Sequence, residues 1–299
     1  VDIPPQSPYS TFLMDLIPEN IISPFLENNV LSIAIIASVF SFAVLKLPKS
    51  QGTLLNNIFT ALFESLLLIT TKIMLLIPLG VFAFSLQFVN SMKYEEGQLS
   101  PIIIYGACVI GANLIQGLII LPALLKLKGL SPVKVIKAMS PAVVMAFFSK
   151  SSNATLPLSL KCAKHNLKIS EKTANFSLPI CSIINMNGCA AFIIITFLFV
   201  CVSHGIQFSI AQMIPWIFLS SIAAIGNAGV PMGCFFLTSA FLINMHVPVS
   251  LMGVILPLYT IIDMVETGLN VWSDCCITHI VDIELRNESF ASPVPSIAQ

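Results

Sequence analysis

Four polar side chains recur at helical spacing near the C-terminal end of this sequence. Asp263, Thr267, Asn270 and Asp274 stand at i, i+4, i+7 and i+11, which places all four on one face of a helix. Glu266 lies one step to the side of this stripe. The surrounding residues are apolar, and an ionised carboxylate in hydrocarbon costs at least ~2.5–3.5 kcal/mol. The stripe therefore predicts binding chemistry, with a cation, a polar substrate or water as its partner.

The composition indicates an integral membrane protein. Of the 299 residues, 56% are hydrophobic and 9% are charged, whereas soluble domains carry about 25% charged residues. The apolar runs are helix-length, well beyond the ~10-residue segments of a barrel strand. A formal net charge of +0 offers no argument for nucleic-acid binding. The eight cysteines form no C-x-x-C pair, so we predict small hydrophobes rather than disulfides or a zinc site.

Long apolar stretches predict a series of membrane-spanning helices. Residues 1–28 are rich in proline and predict an interfacial segment. Nine lysines between residues 126 and 172 predict a cytoplasmic region. A loop with two glutamates is expected at residues 91–100, and a polar tail at 282–299. The predicted spans cover residues 30–47, 58–89, 102–125 and 176–202, with a last span that holds the polar stripe and ends at 281.

Two further stretches predict re-entrant helical hairpins. The apolar piece Ala138 to Phe148 lies between basic flanks, so both of its ends belong on one face of the membrane. Ser149 to Asn153 would form its polar tip, which is tolerated at depth only against protein or a wet cavity. The apolar residues 209–243 are broken at Gly226 to Pro231 and have no lysine in their flanks, which predicts a second hairpin from the opposite face.

Each predicted hairpin precedes a span with an asparagine in its middle. Asn185-Met-Asn-Gly188 predicts a locally unwound helix with free carbonyls, and an interruption is also expected at Asn270. A short repeat supports the pairing, because Asn153-Ala-Thr-Leu-Pro157 is echoed by Asn227-Ala-Gly-Val-Pro231. A hairpin followed by a broken helix, twice and from opposite faces, is the inverted-repeat arrangement of secondary transporters.

Each motif also has an interpretation without a ligand. The serines of the first tip could cap a helix or form a solvated loop, and the break at Asn185 could be a kink filled by interhelical hydrogen bonds. Lysines could neutralise Asp263 and Asp274, although the nearest spans offer only Lys72 at depth. An intramembrane aspartyl protease needs facing carboxylates from separate elements, whereas these lie on one helix about 16 Å apart. We expect no enzyme, and a channel stays open as an alternative.

Together these motifs resemble the dicarboxylate/amino acid:cation symporters, the glutamate-transporter family. The resemblance is carried by Ser151 to Pro157, Asn185 to Gly188, Gly226 to Pro231 and the stripe Asp263 to Asp274, and it extends from about Leu16 to the tail. It implies an all-α inverted-repeat transporter with two tip-to-tip re-entrant hairpins, broken transmembrane helices and a trimeric scaffold. The family has three more spans before the first one here. The implied domains are a partial scaffold (1–95), a transport domain (96–285) and a cytoplasmic tail (286–299).

The resemblance also assigns roles to residues. It implies that Ser151 and Ser152 contact a substrate carboxylate, that Asp263 takes the amino group, and that the glycine-rich second tip acts as a gate. Na+ would be held by Asp274 with oxygens near Asn185 and Asn270. The complete substrate set that it implies is Ser151, Ser152, Asn187, Cys189, Gly226, Ala228, Gly229, Asp263, Glu266, Thr267 and Asn270.

Two departures from the family pattern shape the expected function. Asn187 replaces an anionic cation ligand, which predicts fewer coupled Na+ or coupling by H+. Glu266 replaces the arginine of acidic-substrate members, which grips a side-chain carboxylate as a bidentate fork. The last span instead looks like the sodium/serine-threonine branch. Lys150 stands where the family has an arginine in the first tip and could offset Glu266.

We therefore expect a secondary active symporter that imports a small neutral or hydroxyl amino acid with Na+. The alternatives are a glutamate, aspartate or dicarboxylate symporter coupled to Na+ or H+, and a non-transporting membrane fragment. The resemblance implies a homotrimer in the plasma (inner) membrane as a multi-pass protein. No cofactor is expected beyond Na+ as the coupling ion.

Overall fold

The computed structural model describes residues 18, 20–26, 30–76, 78–83, 86, 99–227 and 229–291. Every regular element within these residues is helical, as the apolar runs predict. A π-helical turn at Gln116–Ile120 separates the helix that ends at Ile115 from the one that begins at Leu121. In chain order the helices are α1 (Ser23–Leu26), α2 (Val30–Val44), α3 (Lys49–Met74), α4 (Leu99–Ile115), α5 (Leu121–Leu127), α6 (Pro132–Ser149), α7 (Ser152–His165), α8 (Glu171–Ile184), α9 (Asn187–Ser203), α10 (Ile210–Gly226), α11 (Gly233–Asn244) and α12 (Ser250–Ala291).

The helices fall into two compact units. One comprises residues 1–102, 196–216 and 230–258, and the other comprises 103–195, 217–229 and 259–299. The first unit contains an aromatic cluster in which the ring centroids of Phe197 and Trp216 are 4.1 Å apart. The second unit contains the hydrophobic core around the polar stripe, with Leu125, Met139, Leu178, Trp272 and Cys276 among its buried members. The domain boundaries 1–95, 96–285 and 286–299 stay a prediction.

Among the described residues, five helical stretches are long and apolar enough to cross a membrane: 49–73, 100–127, 132–149, 171–203 and 250–287. Many apolar side chains on the helices are exposed, for example Leu118, at 71%, and Phe176, also at 71%. In water such faces would be unfavourable, whereas lipid is as apolar as they are. The all-α membrane class predicted from composition is therefore confirmed.

The predicted second span is misplaced. It was expected over 58–89, whereas α3 begins at Lys49 and ends at Met74, followed by a turn at residues 75–76. Pro78 explains the early end, because proline removes a helical hydrogen bond and biases the preceding residue away from helix. The predicted interfacial segment 1–28 and the loop 91–100 lie mostly outside the described residues.

The chain breaks at one of the two asparagines where an interruption was predicted. Helix α8 ends at Ile184 and α9 begins at Asn187, which confirms the first break. The second was wrong, because α12 runs without interruption from Ser250 to Ala291, through Asn270 and into the predicted polar tail. Asn-Met-Asn-Gly places three poor helix formers within four residues, whereas Asn270 is flanked by Leu269 and Val271.

Helices α6 and α7 form the first helical hairpin. They are separated by residues 150 and 151 alone and pack against each other. Helix α6 spans 18 residues, longer than the expected 138–148, and is itself long enough to cross a membrane. In the second predicted hairpin, α10 and α11 are joined by residues 227–232, so the break at Gly226 to Pro231 is confirmed. That either hairpin is re-entrant stays a prediction.

Helix α12 is anchored along the second unit by polar contacts. Trp272 Nε1 donates to Gly117 O at 3.1 Å, inside the π-helical turn, where the backbone pattern changes. The Ser177 and Thr278 hydroxyls lie 3.0 Å apart, and Ser170 N donates to Asp282 Oδ1 at 3.0 Å. These contacts hold the face of α12 that carries the stripe. The eight cysteines are unpaired, and seven are buried, as predicted for small hydrophobes.

Candidate functional site

The stripe on α12 faces the interior of the second unit. Asn270 and Asp274 are each 3% exposed, and Thr267 is 7% exposed. Asp263 is half-buried at the other end of the stripe. The predicted face is therefore the buried face, and each acid on it needs a partner from another element. Those partners come from two places: the tip of the first hairpin and the break between α8 and α9.

Asp274 meets the break between α8 and α9. Asn185 Nδ2 donates to Asp274 Oδ1 at 2.9 Å, and Ser273 Oγ donates to Asn185 Oδ1 at 3.3 Å. Asn187 Nδ2 in turn donates to Ser273 Oγ at 2.7 Å. The donors thus form a chain that ends on the carboxylate. At the end of α8, Cys181 O accepts from Asn185 N at 2.8 Å, and the carbonyls that follow lie where a helix has no further intrahelical donors.

This end of the site has the chemistry of a cation site. Carboxylate, amide and carbonyl oxygens are the ligands of hard cations. Asp274 and Asn185 lie together, as predicted, and the break provides main-chain oxygens. The expected main-chain oxygens near Asn270 are a different case, because α12 is unbroken there and its carbonyls belong to the helical ladder. Asn187 is neutral and is bonded to Ser273, so it brings no second negative charge.

Asn270 holds the first turn of α9 in place. Its Oδ1 accepts from Gly188 N at 2.8 Å, which satisfies one of the orphan donors at a helix N-terminus. Its Nδ2 lies 3.4 Å from Cys189 Sγ and 3.6 Å from Met186 Sδ. The side-chain amide is therefore engaged with the break, and the predicted substrate contact of Asn270 would require an exchange of these partners.

Asp263 is paired with a lysine from the first hairpin. Lys150 ends α6 in a left-handed conformation, with φ of 53°. This turn brings its Nζ to 3.7 Å from Asp263 Oδ2, at side-chain exposures of 33% and 15%. The interpretation that only Lys72 could neutralise the stripe was therefore wrong. The ion-pair partner of Lys150 is Asp263 rather than Glu266. Thr267 Oγ1 donates to Asp263 O at 2.8 Å.

The two serines of the first tip stand at different positions relative to α7. Ser151 has an extended backbone and caps α7, because its Oγ accepts from Ala154 N at 3.2 Å. Ser152 begins α7 and is half-buried. The capping interpretation of Ser151 is thus confirmed, while its contact with a substrate carboxylate stays a prediction.

The second tip reaches the first. A Cβ at Gly229 would lie 3.1 Å from Asn153 Nδ2, so residues of the two tips are near neighbours. Gly229 also has φ of 78°, a conformation that glycine adopts readily. Gly226 ends α10 and is exposed. Ala228 lies outside the described residues.

Glu266 is an almost completely buried acid of α12. It is 1% exposed, and neither carboxyl oxygen has a hydrogen-bond partner within the described residues. Its backbone packs against Gly188, where a Cβ would lie 2.9 Å from Glu266 Cα. Asn113 of α4, which is 2% exposed, also lies next to Gly188. Its Oδ1 would be 2.7 Å from a Cβ added at Gly188.

Sequence reasoning missed two members of this site. Ser273 links Asn187 to Asn185, yet it is one residue off the helical stripe and looked like an ordinary small residue. Asn113 stands alone in an apolar span, and a lone buried amide in such a span was the available signal.

The model of the sodium:dicarboxylate symporter family matches residues 2–283. The chain belongs to this family. The family recognised from the motifs is thus confirmed, and it is a family of symporters and not of enzymes.

Curated relatives cover both substrate classes. A protein of Caenorhabditis elegans named as a sodium-dependent excitatory amino acid transporter is 27% identical over 94% of this chain and 57% of its own length. The neutral amino acid transporter B(0) of Mus musculus is 25% identical over 91% of this chain and 49% of its own. Excitatory amino acid transporter 3 of Mus musculus is 28% identical over 85% and 48%. The chain thus spans about half the length of these relatives.

Proposed function

We propose that the protein acts as a secondary active symporter that imports a small neutral or hydroxyl amino acid, such as serine or threonine, with Na+. The Lys150–Asp263 ion pair is the observation that supports this choice of substrate. One cation and one carboxylate leave this end of the site without net charge, which suits a zwitterion with an uncharged side chain. An acidic substrate would add a carboxylate, and Glu266 offers it no cation.

The proposed coupling ion is Na+. Na+ would sit at Asp274 and Asn185, whose side chains are hydrogen-bonded to each other, with carbonyls from the end of α8 as further oxygen ligands. Asn187 supports a lower Na+ stoichiometry than in members with an aspartate there, because its amide is neutral. An Na+:substrate ratio equal to that of the aspartate-bearing members would contradict this part.

A second candidate is an acidic amino acid or dicarboxylate symporter. Lys150 favours it, because an ammonium at 3.7 Å from Asp263 is held by an ion pair and not by a short hydrogen bond. A substrate carboxylate could therefore compete for it. The names of the excitatory amino acid transporters agree with this candidate, and that of the neutral amino acid transporter with the first.

The test is uptake of labelled serine, aspartate and lysine into liposomes that contain the purified protein, with and without an inward Na+ gradient. Serine uptake that depends on the gradient is expected. Aspartate uptake without serine uptake would contradict the substrate choice and support the second candidate. No uptake of any of them would favour a non-transporting fragment.

Charge reversal tests the substrate end. Glu266→Arg should raise aspartate uptake relative to serine, because it supplies the bidentate cation that the site lacks. Glu284→Arg is the matched control, since Glu284 is exposed and pairs with Lys128 away from the stripe. An unchanged substrate profile in Glu266→Arg would mean that this side chain does not reach the substrate.

The assembly proposed for the protein is a homotrimer in the plasma (inner) membrane. Exposed apolar side chains along α3, such as Leu54, Phe59 and Phe63, support a helix face that meets lipid or a second copy. Cross-linking of the protein in native membranes tests this proposal. A monomer as the sole product would contradict it.

A further inference from the structure

Lysine side chains gather around the base of the first hairpin, where α6 begins and α7 ends. Asn166, the residue after α7, donates its Nδ2 to Ala138 O of α6 at 2.8 Å, so these two helix ends lie side by side. Only residues 128–131 separate α5 from α6, and only residues 166–170 separate α7 from α8. Lys128, just after α5, is ion-paired with Glu284 of α12. The ends of these helices therefore form one surface within the second unit.

The loop between α7 and α8 is fixed to α12 by three polar contacts. Ser170 N donates to Asp282 Oδ1 at 3.0 Å, and Arg286 Nη2 donates to Lys168 O at 2.7 Å. The same Arg286 nitrogen lies 2.7 Å from Asp282 Oδ2, which belongs to a side chain that is 2% exposed. These contacts use the backbone of Lys168 and leave its side chain exposed. The surface is thus preformed, which lowers the cost of ordering it when a ligand binds.

The negative charges at this base already have partners. Each acid whose side chain is described here is ion-paired, in the pairs Asp282–Arg286, Glu284–Lys128 and Glu171–Lys164. By contrast, six lysines of residues 126–172 are exposed and have no ion-pair partner among the described residues. These hairpin-base lysines are Lys126, Lys134, Lys137, Lys161, Lys168 and Lys172. The surface thus carries positive charge that the described acids leave without a counterion.

The hairpin-base lysines lie where apolar helices give way to polar surroundings. Among the described residues, apolar stretches long enough to cross a membrane end at residue 127, begin at 132 and begin at 171. The lysines lie in the first or last two turns of α5 to α8 or in the loop between α7 and α8. Headgroups begin where a spanning apolar run ends, and a lysine stem can follow apolar surface while its ammonium stays in the polar layer. The six ammonium groups therefore belong in the headgroup layer of one leaflet.

We propose that the hairpin-base lysines bind the phosphate groups of anionic lipids in the leaflet that they face. A lysine ammonium binds phosphate as a point charge, and clusters of about four to eight basic residues beside a membrane span attract an anionic leaflet. A single small anion cannot contact ammonium groups that are spread over four helices, whereas a leaflet presents many phosphates side by side. The lipid layer stabilises the base of the hairpin in this way whether or not the protein is a symporter.

Thermal unfolding of the full chain in lipid nanodiscs tests this surface. The midpoint of the wild type should be higher in phosphatidylcholine mixed with phosphatidylglycerol than in phosphatidylcholine alone. Choline chloride should reduce this gain, because salt screens exposed charges and choline is not the proposed coupling ion. The same midpoint in both lipids would overturn the proposal and leave the lysines as solvated charges.

A matched pair of triple variants locates the effect. The test variant removes one charge from each of α6, α7 and α8, as Lys134→Gln, Lys161→Gln and Lys172→Gln. It should unfold at the wild-type midpoint in phosphatidylcholine, because these side chains are exposed, and should lose most of the gain from phosphatidylglycerol. The control removes three exposed lysines of the first unit, as Lys46→Gln, Lys49→Gln and Lys72→Gln, and should keep the gain. Equal gains in the two variants would contradict the assignment to this surface.

Two further measurements identify the ligand. Inorganic phosphate added to phosphatidylcholine discs should not raise the midpoint, and a gain that matches that of phosphatidylglycerol would indicate a small-anion site and overturn the proposal. Protein purified in detergent from mixed membranes should retain phosphatidylglycerol, and the test variant should retain less of it than the control; equal retention would also count against the surface. Failure of serine uptake beside a lipid-dependent midpoint would contradict the proposed function and leave the lipid surface supported.

Discussion

Gly188 is the position where the packing of the site can be tested most sharply. A Cβ there would lie 2.7 Å from Asn113 Oδ1, 2.9 Å from Glu266 Cα and 3.1 Å from Glu266 O. Two of these three neighbours are backbone atoms of a long helix, so they cannot move aside as a flexible side chain would. We therefore expect Gly188→Ala to push α9 away from α12.

The magnitude follows from two opposing effects. Overpacking of this kind costs typically ~1–3 kcal/mol, while replacing glycine by alanine inside a helix gains up to ~1 kcal/mol. Gly106→Ala isolates the second effect, because Gly106 is also helical and has nothing within 4 Å of its added Cβ. The difference between the two variants should thus be ~1–3 kcal/mol, with Gly188→Ala the less stable.

The assay is thermal unfolding of both variants in the same detergent, followed by serine uptake in liposomes. Gly188→Ala should unfold below wild type or near it and clearly below Gly106→Ala, and its uptake should fall because the Asn270–Gly188 hydrogen bond lengthens. Equal midpoints for the two variants would refute the close approach of α9 and α12 at Gly188.

Two further substitutions probe the ends of the stripe. Asp274→Asn should abolish the stimulation of uptake by Na+, because the carboxylate at the α8–α9 break is lost. The measurement is uptake against Na+ concentration, with Glu284→Gln as the control. Unchanged Na+ dependence in Asp274→Asn would contradict the cation site. Lys150→Ala should raise lysine uptake relative to serine uptake, because it leaves Asp263 unpaired. The control is Lys126→Ala, since Lys126 lies outside this ion pair. The same ratio of lysine to serine uptake in both variants would contradict the prediction.

The sequence predicts the stripe well because the physics behind it is local. Side chains at i, i+4, i+7 and i+11 share a face of any helix, and acids among apolar residues must be turned inward. Asp263 and Asp274 are accordingly oriented into the unit. The break at Asn185 is also a local property, since poor helix formers cluster there.

What the sequence does not predict depends on contacts between distant segments. The Lys150–Asp263 pair joins residues 113 positions apart, and it relies on a left-handed turn at Lys150 that no glycine announces. The interruption expected at Asn270 fails for a related reason. An asparagine in a span predicts a polar partner, but it does not say whether its own helix or its neighbour opens to provide one. Here α9 provides Gly188 N, and α12 stays intact.

Asp263, Glu266 and Asp274 of α12 illustrate three environments of an acid in a membrane protein. Asp263 has a lysine from the first hairpin, Asp274 has an amide from the α8–α9 break, and the Glu266 carboxyl has no hydrogen-bond partner among the described residues. In the proposed symporter, a zwitterion would share the Lys150–Asp263 pair and a cation would complete the network at Asp274. Because Lys150 and Asn185 belong to different elements, a shift of one of these elements would alter one acid and leave the other paired.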